Sequence, residues 1–174
     1  MIDSQGIYSI ANNLIQSYGT QNPMEIASSS GIYVASVDYF KHLLGLYICR
    51  MDLRSIFLNN RMDPYLTRIV AAHELGHDLL HRDIAVIDGL QDFDLFRINN
   101  AIEYEANAFA AHLLIDTDEC IEYARNGYDV VTIAKCLETE INLMLIKLQE
   151  LKRLGYDLPL PMTATGDFLK KIEV

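Results

Sequence analysis

Apolar residues Ile7, Ile10, Ala11, Leu14 and Tyr18 recur at helical spacing and predict an amphipathic helix over residues 4–18. Asn22-Pro23-Met24-Glu25 then supplies an N-cap, a proline suited to the first helical turn and a capping-box Glu. The short helix it opens is expected to stop at Gly31. From Ile32 the period changes. The runs 32–37, 46–49 and 55–58 are short and rich in β-branched or aromatic residues, separated by Gly45 and the Asp52 region. They predict a small three-stranded sheet, expected to be antiparallel because the connections are too short for crossover helices.

Asp63-Pro64 is a strong helix start. Leu66, Ile69, Val70, His73, His77 and Leu80 then fall on one face, predicting a helix over 64–82 whose inward stripe carries two histidines. After a polar, acidic loop, Ala106, Phe109, Ala110, Leu113 and Leu114 mark a helix over 100–115. Further helices are expected at about 117–126, 130–137 and 139–154, the last with Ile141, Met144, Leu145, Leu148 and Leu151 inward. The tail from Tyr156, with Pro159 and Pro161, reads as irregular, with room for a helical turn near Phe168. The pattern is α+β and mainly helical, with one domain over 1–155 and a tail over 156–174.

A chain of 174 residues with 51% hydrophobic and 22% charged positions suits one soluble globular domain. A net charge of −10 argues against a nucleic-acid or anionic-membrane surface, which needs clustered Lys and Arg. Residues 133–148 have a faint helix-turn-helix cadence, but 127–174 hold six Lys and Arg against seven Asp and Glu, so no basic face supports DNA binding. No run approaches the roughly 18 apolar residues of a membrane span. The first ten residues carry no Lys or Arg, as a secretory leader would require. Cys49, Cys120 and Cys136 are odd in number and widely spaced, which suits reduced thiols. A cytoplasmic protein is expected.

The chemistry concentrates in His73-Glu74-Leu75-Gly76-His77. Residues four apart lie one above the other on a helix, so two imidazoles reach one ion. Glu74, beside the first ligand, is then placed to take a proton from a water held there. A catalytic zinc commonly has three protein ligands. Asp83 stands six residues after His77, but the glycine that would turn the chain back is replaced by Leu80. His81, one turn beyond His77, reads as a favourable cation at a helix C-terminus. A later helix offers Glu103 and Glu105. Spacing leaves both open, with Asn107 one turn after Glu103 in its favour as a hydrogen-bond partner for a ligand, and Asn100-x-x-Glu103 against it as an ordinary capping box.

The paired segments 73–81 (HELGHDLLH) and 103–114 (EYEANAFAAHLL) resemble the ImmA/IrrE family of metallopeptidases. The resemblance extends loosely from the first helix to about Gly155. It implies a zincin-like fold in which the sheet packs on the HExxH helix. It also implies His73, His77 and Glu103 as ligands of Zn2+, Glu74 as catalytic base and Asn107 behind a ligand. Ile115-Asp116 stands where the family often has Met-Pro, a departure at a helix end. The implied reaction is zinc-dependent, gluzincin-like amide hydrolysis, with residues 55–58 expected to pair with an extended substrate. An oxyanion donor is expected too, with His112, Tyr104 and Tyr65 as candidates and none singled out. The resemblance implies a helix-turn-helix repressor as substrate, on a mobile element, in a prophage or controlling stress genes. A metal-binding regulator that inactivates or sequesters a repressor without proteolysis is the alternative.

Overall fold

The computed structural model describes residues 3–84, 90–92 and 101–158. Helix α1 (Ser4–Tyr18) starts where the Asp3 carboxylate accepts a hydrogen bond from the Gly6 N–H at 2.8 Å, and ends at Gly19 with φ +66°. Helix α2 (Pro23–Ser29) is capped by Asn22, whose side chain accepts from the Met24 and Glu25 N–H groups. Its last residue is Ser29 rather than Gly31, because Gly31 (φ +78°) belongs to the turn into the first strand.

Strands β1 (Tyr33–Val37), β2 (Gly45–Arg50) and β3 (Leu53–Asn59) occupy the three predicted runs. A short β4 (Leu90–Asp92) joins them, in the order β1-β3-β2-β4. The sheet is mixed: β1 runs parallel to β3, while β2 is antiparallel to both β3 and β4. Chain direction does alternate from β1 to β2 to β3, as their short connections require. The expectation of a purely antiparallel sheet failed on placement, because the β2–β3 hairpin lies with β3 against β1. Met51 and Asp52 both adopt positive φ (+50° and +62°), the primed turn that suits the twist of a two-residue hairpin. Residues 38–44 cross β3 to reach the place of β2. The buried Asn59 holds this crossing by donating to the carbonyls of Phe40 (3.3 Å) and Leu43 (2.8 Å).

Helix α3 (Pro64–Leu80) is capped by Asp63, which accepts from the Leu66 N–H at 2.8 Å, and has Pro64 in its first turn. Every residue from Ile69 to Asp78 is buried, not one stripe alone. The reason is a three-layer arrangement: one side of α3 packs on β2 and β3, through Tyr47, Cys49, Ile56 and Leu58, and another on α4 (Ala101–Leu114). Asp78 ties the helix to the sheet. Its carboxylate accepts from the Tyr47 hydroxyl (2.7 Å), Arg54 (3.0 Å) and Arg82 (3.1 Å), and Arg54 also donates to the Ser30 carbonyl.

The α3–α4 seam is close because small residues line it. A Cβ on Gly76 would stand 3.2 Å from both Cα and O of Ala106 and 3.1 Å from the Phe109 ring. Behind α4 lie α1 and α7 (Ile141–Arg153), with α5 (Thr117–Arg125) and α6 (Val130–Cys136) between α4 and α7 in sequence. At the family departure, Asp116 caps α5 by accepting from the Asp118 and Glu119 N–H groups. Leu158, inside the predicted tail, is buried in the core. Residues 159–174, including the turn expected near Phe168, lie outside the described residues, as does Asn100 of the predicted capping box. The three cysteines are free thiols. No helix among the described residues is long and apolar enough to cross a membrane.

Candidate metal and catalytic site

The middle of α3 stacks His73 and His77, and the two rings meet edge to face with centroids 4.6 Å apart. Their Nε2 atoms are 3.0 Å apart. Glu103, in the first turn of α4, brings Oε2 to 3.3 Å from Nε2 of His73 and Oε1 to 3.8 Å from Nε2 of His77. One donor atom from each of the three lies within 4.8 Å of the others. Of the two acidic candidates on α4, then, it is Glu103 that converges on the histidine pair.

This donor set fits a metal ion. Two imidazole nitrogens and a carboxylate oxygen are the ligand types zinc takes. Their separations bracket the roughly 3.3 Å edge of a tetrahedron with bonds of about 2.0–2.1 Å. The two imidazole Nε2 atoms face each other at 3.0 Å, close enough for both to reach one ion. Both histidines are fully buried, whereas the Glu103 side chain is 24% exposed, so the cluster opens to solvent on the Glu103 side.

Asn107 lies one turn after Glu103 and places its Oδ1 3.0 Å from Nδ1 of His73. With Nε2 turned to the cluster, Nδ1 carries the hydrogen and donates to that oxygen. Glu74 is also buried, and its carboxylate lies against the first residue of β2: a Cβ on Gly45 would fall 2.0 Å from its Oε1. Gly45 entered the sequence reading only as a break between strands. A glycine at a strand end is also the usual mark of a close approach, and that is what it is here.

Other candidates are engaged elsewhere. Asp83 is exposed beyond the end of α3. The Tyr104 hydroxyl donates to buried Glu150 at 2.7 Å, and desolvation pushes its pKa upward. Nδ1 of His112 faces Lys147 Nζ at 3.3 Å, and burial with that cation lowers the imidazole pKa to about 3. Tyr65 is 43% exposed near the start of α3. Strand β3, expected to pair with substrate, is hydrogen-bonded on both edges, to β1 and β2, and offers no free edge. Nothing local in sequence reveals which strand becomes interior.

The buried helix pair brings two histidines of α3 and a glutamate of α4 together across the seam. The family model Peptidase_M78, described as the IrrE N-terminal-like domain, matches residues 27–148, and the chain belongs to that family. It is also similar to a protein of Bacillus phage phi105 described as "Uncharacterized immunity region protein 2". The two are 30% identical over 137 residues, covering 76% of this chain and 85% of the phage protein.

Proposed function

We propose that this chain is a zinc-dependent endopeptidase that cleaves a helix-turn-helix transcriptional repressor and so relieves repression of a mobile element or of stress genes. The observation that carries the reading is the convergence of His73, His77 and Glu103 on one point, with Glu74 adjacent on the same helix. Membership of a metallopeptidase family supports the reaction class. The phage relative's description as an immunity region protein supports the mobile-element setting. A repressor substrate puts the reaction in the cytoplasm, where free thiols such as Cys49, Cys120 and Cys136 persist.

His73, His77 and Glu103 would hold the ion, which when bound lowers the pKa of a water toward about 7 and polarises the scissile carbonyl. The Glu74 carboxylate accepts a proton from the attacking water and later delivers it to the departing amine. Asn107 fixes the His73 ring through Nδ1, keeping Nε2 free of hydrogen. Gly45 leaves the space in which the Glu74 carboxylate sits.

The test is to incubate the purified protein and zinc with any helix-turn-helix repressor encoded beside its gene, with Glu74→Gln as control. Cleavage that the control lacks is expected. An intact repressor sinks the substrate assignment. Relief of repression in cells by the Glu74→Gln protein would establish sequestration instead of proteolysis.

A further inference from the structure

Two residues set aside as ligands, His81 and Glu105, meet behind His77. Nδ1 of His77 is 3.0 Å from Nδ1 of His81, and Nε2 of His81 is 3.0 Å from Oε2 of Glu105. The His81 ring is only 5% exposed, and its centroid lies 5.2 Å from that of His77. A side chain that merely capped the helix would sit in water. The His81 ring is folded back along the column.

The hydrogens follow from the contacts. If Nε2 of His77 keeps its lone pair for an ion, the ring hydrogen is on Nδ1. It then donates to His81, whose Nδ1 must be the acceptor. The His81 hydrogen is left on Nε2, where it donates to the Glu105 carboxylate. Each ring thus fixes the tautomer of the next. Asn107 acts on His73 in one step, while His77 is held in two, through a histidine to a carboxylate. Glu103 and Glu105 are about 200° apart around α4, and they reach the α3 column at different points: one at the inward nitrogens of His73 and His77, the other at His81.

We infer that His81 and Glu105 are positioning residues that fix the orientation and tautomer of His77, forming a carboxylate–histidine–histidine arm behind the metal site. The arm rests on His77 being a ligand, so its test separates the two readings. Partners of this kind are typically worth about 10–100-fold in metal affinity. Competition of the apoprotein with a chromophoric zinc chelator should therefore show binding weakened by about that factor in His81→Ala and Glu105→Ala. Glu105→Gln, which keeps an acceptor but no charge, should lose less. His73→Ala and His77→Ala should lose tight binding altogether.

Long-range nitrogen–proton NMR of the wild-type zinc protein, labelled at histidine, reads the tautomers directly. His77 should carry its hydrogen on Nδ1 and His81 on Nε2. A helix-cap role moves neither observable. Wild-type affinity in His81→Ala and Glu105→Ala overturns the arm, as does a His81 hydrogen on Nδ1. The NMR result stands even if a variant fails to fold. Wild-type affinity in His73→Ala and His77→Ala would instead overturn the metal site itself.

Discussion

Gly45 and Glu74 share a space that only one of them can fill: the Cβ of any other residue at 45 would lie 2.0 Å from Oε1 of Glu74 and 2.6 Å from Val70 Cγ1. The strand backbone therefore forms a wall against the carboxylate proposed as general base. Gly45→Ala should displace that carboxylate and leave His73, His77 and Glu103 in place. Zinc stoichiometry should be unchanged, while kcat on the repressor falls by at least about 100-fold, the lower end of what a general base contributes. Wild-type kcat in a folded Gly45→Ala protein would show that Glu74 tolerates the move.

Glu103 and Asn107 differ in what they touch, and should differ in what they cost. Asn107→Ala leaves Nδ1 of His73 without its 3.0 Å acceptor and should weaken zinc binding by about 10–100-fold. Glu103→Ala removes a donor atom from the cluster and should weaken it further. Equal affinities, measured by chelator competition, would contradict the assignment of one as ligand and the other as its support.

The α3–α4 seam predicts a packing effect. Gly76 lies 3.1–3.2 Å, measured from an added Cβ, from Ala106 backbone and the Phe109 ring. Gly76→Ala must push these apart by a few tenths of an ångström, and Gly76→Val by more. Overpacking of this kind costs about 1–3 kcal/mol. Urea unfolding should rank the wild type above Gly76→Ala and Gly76→Val lowest, with zinc affinity falling in the same order.

Acid stability should depend on His112. Burial, then the Lys147 ammonium, lowers its pKa from 6.5 to about 3. The unfolded chain takes up a proton below about pH 6.5, whereas the folded protein does not until about pH 3. Stability is thus full above 6.5 and declines toward 3, by at most roughly 1.4 kcal/mol per pH unit from this residue. Lys147, lowered to about 8 mainly by burial, titrates above this window and leaves the slope unchanged. Urea midpoints from pH 7 to 4 should fall less in His112→Gln than in the wild type. Parallel curves would remove His112 as a cause.

Sequence alone carried the parts of the fold set by local chemistry. Asp63-Pro64 and Asn22-Pro23 opened helices where their caps allow, and the three strand runs appear within a residue or two. The His73–His77 column followed from helical period alone. Neighbour relations were less legible. Strand order depends on where the β2–β3 hairpin docks, which residues 38–44 permit but do not specify, so β3 became interior unannounced. The choice between Glu103 and Glu105 turns on how α4 crosses α3, and spacing along one helix carries no information about that angle. The role of Gly45 was hidden for the same reason, since its partner is 29 positions away in sequence.

The contact of Gly76 with Ala106 has a mechanical consequence. Side chains between two helices usually act as a compliant layer, absorbing small shifts of one rod against the other. Here backbone meets near-bare backbone, so α3 and α4 have little slack at the level where the histidines face Glu103. A slip of one residue along either axis is about 1.5 Å, enough to pull the Glu103 oxygens out of reach. The aim of three long side chains is thus set by two positions that carry almost no side chain at all.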